Sequence, residues 1–361
     1  MKVIIFCGGY GTRMWPTSTK SYPKQFRQIV KGRSFFQRTV ERFSKVFDPK
    51  DILISTESKY KKFILDQAPE VPVENIILEP ERRDSLGAIG LVAAIVEKRF
   101  PKEVMFFSWS DHFIGKVDEF IKAVKAASAY TEKTGVSVSI NEKPTYPSIH
   151  NGWVQFGEKV GEENGFSVYK ILRHIEKPDE ETAKKFFNDQ SYLIHTGYAS
   201  WRSDLMLSYY KEYAPNIYEG LKKIMDAWNS ERFDEVLKTE YAKFDKVSVD
   251  YGLFEKLPND LRLTMAVETD WKDAGTWELF YKAMLEKGMD SVIEGDIKVE
   301  NIDSTGNLII GEGEKMISIV GLKNIAVIDT HGALMVCNLD ATAKVKDLFK
   351  KLEEENPEFV D

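Results

Sequence analysis

The chain has 361 residues, of which 43% are hydrophobic and 30% charged, and a formal net charge of −7. That length suffices for one large core, or for a large domain beside a small one. The acidic balance excludes a general nucleic-acid binder, and no apolar run is long enough to span a bilayer as a helix.

Residues 1–6 hold one lysine and then an apolar run, with no h-region or cleavage site, so a cytoplasmic protein is expected. The two cysteines, Cys7 and Cys337, sit at opposite ends of the sequence and read as reduced thiols. Val3–Phe6 has the composition of a buried parallel strand. It runs into CGGYGTRMWPTSTKSYPKQF, residues 7–26. Gly8, Gly9 and Gly11 allow a tight turn and a close approach of backbone N–H groups to a ligand. Arg13 and Lys24 add cations, with Lys20 and Arg27 nearby, so the loop suits a multiply charged phosphate chain. An acidic protein that handles phosphates must concentrate its cations in this way. Two common phosphate motifs do not fit. The dinucleotide fingerprint would need a third glycine where Met14 stands, and the Gly-Lys-Ser/Thr ending of the P-loop is missing.

Beyond the loop, Ile52–Ser55, Ile76–Leu78 and Val104–Phe107 are candidate strands with helical patterns between them, the alternation of a parallel sheet covered by helices. Ser110-Asp111-His112 follows the last of these strands, where ligands of open α/β sheets bind. Asp111 there suits a metal or a ribose hydroxyl, and His112 a structural role. Lys116–Thr134 is expected to be an amphipathic helix and Val136–Ile140 a strand. An inserted β ribbon is expected over 145–172, with helices near 179–188, 203–212 and 216–228. Trp271-Lys272-Asp273-Ala274-Gly275-Thr276-Trp277 then sets a second carboxylate between two indoles. Mg²⁺ bound together with substrate phosphates takes one or two protein carboxylates, a count that Asp111 and Asp273 meet. From Ser291 to Val336 short strand-like runs alternate with glycines about ten residues apart, as in a β-solenoid or a small barrel. An amphipathic helix over 340–354 follows. Two domains are expected, 1–285 and 290–361.

The string at 7–26 resembles the signature of the sugar-1-phosphate nucleotidylyltransferases. Within them, Trp15-Pro16 and Pro23-Lys24-Gln25-Phe26 look like the branch that transfers GMP from GTP to mannose 1-phosphate. The resemblance runs in order over 1–280, and the tail looks like the short C-terminal region of monofunctional guanylyltransferases. It implies an α/β fold with a Rossmann-like mixed sheet, and a small β-rich domain akin to a left-handed β-helix through which a homodimer forms. It gives the triphosphate to Gly8, Gly9, Gly11, Thr12, Arg13, Lys24 and Ser110, and Mg²⁺ to Asp111 and Asp273. Glu79-Pro80-Glu81-Arg82-Arg83-Asp84-Ser85 stands where the family has a base-side Glu-Pro-x-Gly-Arg-Asn-Thr loop, which assigns Glu79, Arg83 and Asp84 to the nucleotide. Ile175-Glu176-Lys177-Pro178 looks like the Phe-x-Glu-Lys-Pro string, in which the glutamate binds sugar hydroxyls and the lysine the sugar phosphate. Asp250, in Val-Ser-Val-Asp-Tyr-Gly-Leu-Phe-Glu-Lys, resembles a residue that is either sugar-binding or architectural; Glu255 reads as structural.

Four strings depart from the family. Asp84 and Arg82 replace Asn and Gly in the base-side loop, and the added carboxylate can accept from guanine N1–H and N2–H₂. Ser108-Trp109 replaces Leu-Pro before Asp111. Ile149-His150-Asn151-Gly152 replaces Thr-Gly-Tyr-Gly, and Ile194-His195-Thr196-Gly197 replaces Trp-Asn-Ser-Gly. His195 therefore stands where the family's Asn contacts the sugar, so other hexose or heptose 1-phosphates are alternatives to mannose. A sugar 1-phosphate is mostly a dianion at neutral pH, so its attack on the α-phosphorus needs no general base. A non-catalytic nucleotide-sugar sensor is a second class, disfavoured because Arg13, Lys24, Asp111 and Asp273 are all present. A bifunctional isomerase–transferase is a third, disfavoured by length and by the lack of a His and Glu cluster.

Overall fold

The computed structural model describes residues 1–313 and 315–361. Two compact units form. The first takes Met1–Gly8, Arg42–Trp109 and Ile114–Trp271; the second takes Gly9–Glu41, Ser110–Phe113 and Lys272–Asp361. These units cross the linear division expected at 285–290, because the signature loop and residues 110–113 join the β-rich tail.

The first unit holds a ten-stranded mixed sheet. At its heart Lys2–Cys7 lies parallel to Ile52–Glu57 on one side and Val104–Trp109 on the other. All six residues of Lys2–Cys7 are buried, as in a strand covered on both faces. Ile76–Glu79 extends the parallel part. The order then turns antiparallel where Ala199–Arg202 pairs with Val104–Trp109. Helix Asp84–Arg99 buries the run Leu86–Val96 against helices Ser203–Tyr213 and Pro215–Asp226. Helix Val117–Thr134 ends at Gly135, whose φ of 75° supplies the left-handed C-cap. The expected ribbon is the long antiparallel pair Trp153–Glu163 and Phe166–Ile175. Strand Ser137–Glu142 runs two residues beyond the expected Val136–Ile140 and carries Asn141 and Glu142. Helix Phe233–Tyr241 was not expected.

In the second unit Val292–Glu294, Leu308–Gly311 and Ile325–Asp329 stack in parallel, with Val292 beside Leu308 and Leu308 beside Ala326. Lys298–Ile302 and Met316–Val320 form a second parallel ladder. Recurrent parallel stacking on two ladders is the coil of a solenoid, and Leu334–Asn338 closes one ladder antiparallel. Its core joins Leu308, Ile310 and Ile328 to Met14, Trp15, Phe35 and Phe113 from the remote segments. That shared burial explains why the compact units cross the linear division. Helix Trp277–Met284, also unexpected, is capped by Thr276, whose hydroxyl accepts from Leu279 N. The closing helix begins at Val345, because Asn338 caps a 3₁₀ segment, Leu339–Lys344, ahead of it. Among the described residues no helix is long and apolar enough to cross a membrane.

Candidate active site

Apart from Gly8, the residues expected to handle the triphosphate lie in the second unit. Gly11 has φ +72, and a Cβ there would lie 2.6 Å from Lys24 Cγ, so only glycine lets the lysine stem pass. Gly9 also has positive φ, and its carbonyl accepts from Gln25 Nε2 at 3.3 Å. Thr12–Met14 forms a 3₁₀ turn whose Met14 N–H returns to Gly11 O at 2.8 Å. Lys24 is largely buried and its Nζ lies 2.8 Å from Asp111 Oδ2. Burial works to raise the Asp111 carboxyl, but Lys24, with His112, outweighs it and holds the group well below the usual carboxylate range. Ser110 is buried, and its carbonyl accepts from Thr39 Oγ1 at 3.4 Å.

The strands His112–Ile114 and Trp271–Asp273 form a two-stranded ladder, so Asp273 ends one paired strand and Asp111 immediately precedes the other. Asp273 and Arg13 converge on Gly275. The position a Gly275 Cβ would take is 3.1 Å from both Asp273 carboxylate oxygens and 2.8 Å from Arg13 Nη2. Among the described residues no group of three or more His, Cys, Asp and Glu could hold a metal. Two half-buried carboxylates instead fit a cation that arrives with substrate phosphates, as its oxygen chemistry requires.

The base-side candidates lie in the first unit and are tied to its own frame. Glu79 is buried; Tyr241 OH donates to its Oε2 at 2.7 Å and Ser55 Oγ to its Oε1 at 3.2 Å. Burial pushes its carboxyl up to about 7, against the pull of those two hydroxyls. Arg83 donates to Phe244 O at 3.1 Å and to Glu81 Oε1 at 2.7 Å. Asp84, exposed with φ 60°, opens its helix and accepts from Ser85 N at 2.8 Å. Asp84 is thus the base-side candidate with the most open carboxylate, whereas both oxygens of Glu79 are occupied by the protein.

The sugar-side candidates also lie in the first unit. Gly152 O accepts from His195 N at 2.8 Å. Lys177, with φ 44°, pairs with Glu176 at 2.7 Å, both exposed. Asp250 lies in the first turn of the short helix Val249–Gly252, and burial raises its carboxyl. Burial first, then His174 and Arg262, push the His195 imidazole down to about 3, so it is neutral. Sequence reasoning missed His174, Asn141 and Arg262 around this group. It also missed Glu142, whose Oε1 accepts from Thr269 N at 2.7 Å and Asp270 N at 2.9 Å, fixing the turn that leads into Trp271–Asp273. The one available signal was that His174 occupies the Phe position of the Phe-x-Glu-Lys-Pro string.

A Rossmann-like mixed sheet ending in a glycine-rich, cationic loop, with two strand-end carboxylates, defines a nucleotidyl-transfer protein. The profile of the nucleotidyl transferase family matches residues 2–288, and the chain belongs to that family. The MannoseP isomerase/GMP-like beta-helix domain profile matches residues 298–352. A mannose-1-phosphate guanylyltransferase of Escherichia coli is 27% identical over 97% of this chain and 74% of its own length. The alginate biosynthesis protein AlgA of Pseudomonas putida is 28% identical over 98% of this chain and 71% of its own. In fold, the chain is similar to a Thermus thermophilus crystal structure described as mannose-1-phosphate geranyltransferase. That match has a TM-score of 0.85 at 22% identity, over 98% of this chain and 99% of the other. Members of the nucleotidyl transferase family typically act with a divalent metal on a nucleoside triphosphate and a sugar 1-phosphate.

Proposed function

We propose that this protein transfers GMP from GTP to mannose 1-phosphate, giving GDP-mannose and pyrophosphate, with Mg²⁺ as the divalent cation. The observation that carries the reading is the gathering of Arg13, Lys24, Asp111 and Asp273 in one compact unit. The names shared by the relatives support guanine and mannose.

A sugar-phosphate oxygen forms the new bond to the α-phosphorus, the bond to the bridging oxygen breaks, and pyrophosphate leaves with the electron pair. Arg13 and Lys24 neutralise the charge that spreads over the triphosphate, and the backbone N–H groups of the Gly8–Thr12 segment cradle it. Asp111 and Asp273 would hold Mg²⁺, which supplies charge neutralisation on the phosphate oxygens. Asp84 takes the guanine N–H donors and Arg83 shapes the loop beneath it. Glu176, His195, Asp250 and Gly152 take the sugar, and Lys177 its phosphate. Positioning and electrostatics suffice, because the nucleophile is already ionised.

The catalytic part of the sequence is 1–285 and the β-rich part 290–361. A homodimer forms through the latter, supported by exposed Ile302, Met316, Val320, Leu334 and Val336 on its strands. A cytoplasmic location suits Cys7 and Cys337, two cysteines at opposite ends of the sequence. Pyrophosphate release, measured with each of the four triphosphates against a panel of sugar 1-phosphates, tests the function. The expected best pair is GTP with mannose 1-phosphate; release with no pair would overturn the enzymatic reading.

A further inference from the structure

Gly152 is a point where three side chains close in on the backbone, and only a glycine leaves them room. A Cβ there would sit 2.6 Å from Glu176 Oε2, 2.8 Å from His174 Nε2 and 3.3 Å from His195 Cβ. The two imidazoles pack edge to face, with ring centroids 4.5 Å apart and planes inclined at 63°. Asp250, Glu255 and Arg262 are the further charged groups whose fields reach them. Glu176 Oε2 lies 3.8 Å from His174 Nε2, too far for a hydrogen bond. That Nε2 is buried and has no hydrogen-bond partner among the described residues. A buried polar atom without a partner is costly, and its persistence calls for an explanation.

The tautomer of His195 follows from its neighbours. Asn141 Nδ2 faces two hydroxyl oxygens, those of Ser139 and Thr264, each at 2.9 Å. Its Oδ1 receives Thr196 N–H at 3.2 Å, so Oδ1 is an acceptor. His195 Nδ1, 3.3 Å from that same oxygen, must therefore carry the proton. Nε2 of His195 is left as a bare acceptor. Burial keeps His174 low as well, against Asp250 and Glu176, which favours a pair of neutral rings.

Both histidines replace family residues at once: His195 the Asn of one string and His174 the Phe of another. Two touching imidazoles place the ring nitrogens of two residues side by side next to Glu176. Neutral ring nitrogens suit hydroxyl groups, which donate and accept.

We propose that His174 and His195 form a coupled specificity pair for the sugar 1-phosphate, whose ring nitrogens bond hydroxyls of the hexose and select it over the deoxy analogue lacking them. This rests on the proposed function, since it assumes a sugar 1-phosphate as substrate. A site built to bond a hydroxyl rejects the analogue without it strongly, because its own buried polar atoms are then left unpaired.

The test uses the full chain with GTP, and mannose 1-phosphate against its 2-, 3-, 4- and 6-deoxy counterparts. The readout is kcat/KM for the wild type, His174→Phe, His195→Asn and the double variant, with His174→Gln as a variant that keeps polar atoms. In the wild type, at least one deoxy analogue is expected to fall about 100-fold or more below the parent. His174→Phe is expected to bring that one ratio under about tenfold and leave the other ratios in place, with His174→Gln intermediate. The double variant is expected to differ from the product of the two single changes, as touching residues do. Ratios that stay unchanged in both single variants, or a uniform fall across every sugar, would overturn the pair's role alone. Turnover of none of the sugars by the wild type would overturn the proposed function and this inference with it.

Discussion

Lys24 Nζ stands 2.8 Å from Asp111 Oδ2, so the cation assigned to the triphosphate and the carboxylate assigned to the metal begin as partners. The pair resolves an electrostatic difficulty. A carboxylate at the end of a buried strand would otherwise be driven toward its neutral form, and the ammonium keeps it ionised. The passage of the lysine stem past Gly11 makes the arrangement a property of the loop and not of the rotamer alone.

Asp111→Asn is therefore expected to lower kcat by about 10²–10³-fold, the scale seen when one preorganised charge contact is removed. GTP binding, followed by calorimetry, should persist within about tenfold, because Arg13 and Lys24 remain. Loss of turnover with retained binding separates an enzyme from a sensor. Full turnover in the Asn variant would remove Asp111 from the metal site.

Glu79 gives a pH prediction that concerns stability and not chemistry. Its carboxyl is raised by burial to about 7 from an ordinary 4.5, so the folded state prefers it protonated. Stability from this group is complete below about 4.5 and is lost as pH rises through about 7. Glu79→Gln cannot ionise and keeps an acceptor for Tyr241 and Ser55. Melting curves from pH 5 to 8.5 should show the variant equal to wild type at pH 5 and more stable at pH 8.5, by on the order of 3 kcal/mol. Parallel pH profiles for the two proteins would mean that Glu79 is ionised in the fold.

The strands of the parallel core were legible because Val3–Phe6 and its neighbours are apolar at every position and are bounded by turn residues. The phosphate loop was legible because glycines and cations cluster within one segment. The partition into units was not, since it depends on remote contacts such as Trp277 Nε1 with Trp15 O at 2.9 Å and Phe35 with Phe113 at 5.2 Å. His174 escaped notice because a histidine on a ribbon strand reads as a solvent-facing residue until His195 is found against it. Glu79 looked like a ligand residue, and Tyr241, far along the sequence, together with Ser55 shows that its oxygens are already used.

The signature loop is also tied down from the far end of the chain. Trp15 Nε1 donates to Phe359 O at 2.9 Å, Lys20 N donates to Val360 O at 2.8 Å, and Lys20 Nζ lies 3.0 Å from Glu353. All belong to the second unit. Trp15→Phe keeps an aromatic ring but strips the Phe359 carbonyl of its donor, a loss of roughly 1 kcal/mol. If the tether positions the triphosphate loop, KM for GTP should rise about three- to tenfold with kcat changed less than about twofold. An unchanged KM with a lowered melting temperature would make the contact purely structural.

The β-rich strands predict how copies associate. Ile302 and Val320 are register partners in the second ladder and both are exposed, with Met316 on the same strand as Val320. Apolar side chains set side by side on an outer ladder are costly to leave in water, and the proposed homodimer would cover them at an isologous interface. Replacing both, Ile302→Asp with Val320→Asp, puts two like charges where the interface would be dry. Light scattering on the wild type should give the mass of a dimer, and on the double variant that of a monomer, with the melting temperature within a few degrees because neither side chain is buried in the fold. A dimer that survives both charges would place the interface elsewhere, and a monomeric wild type would remove it altogether.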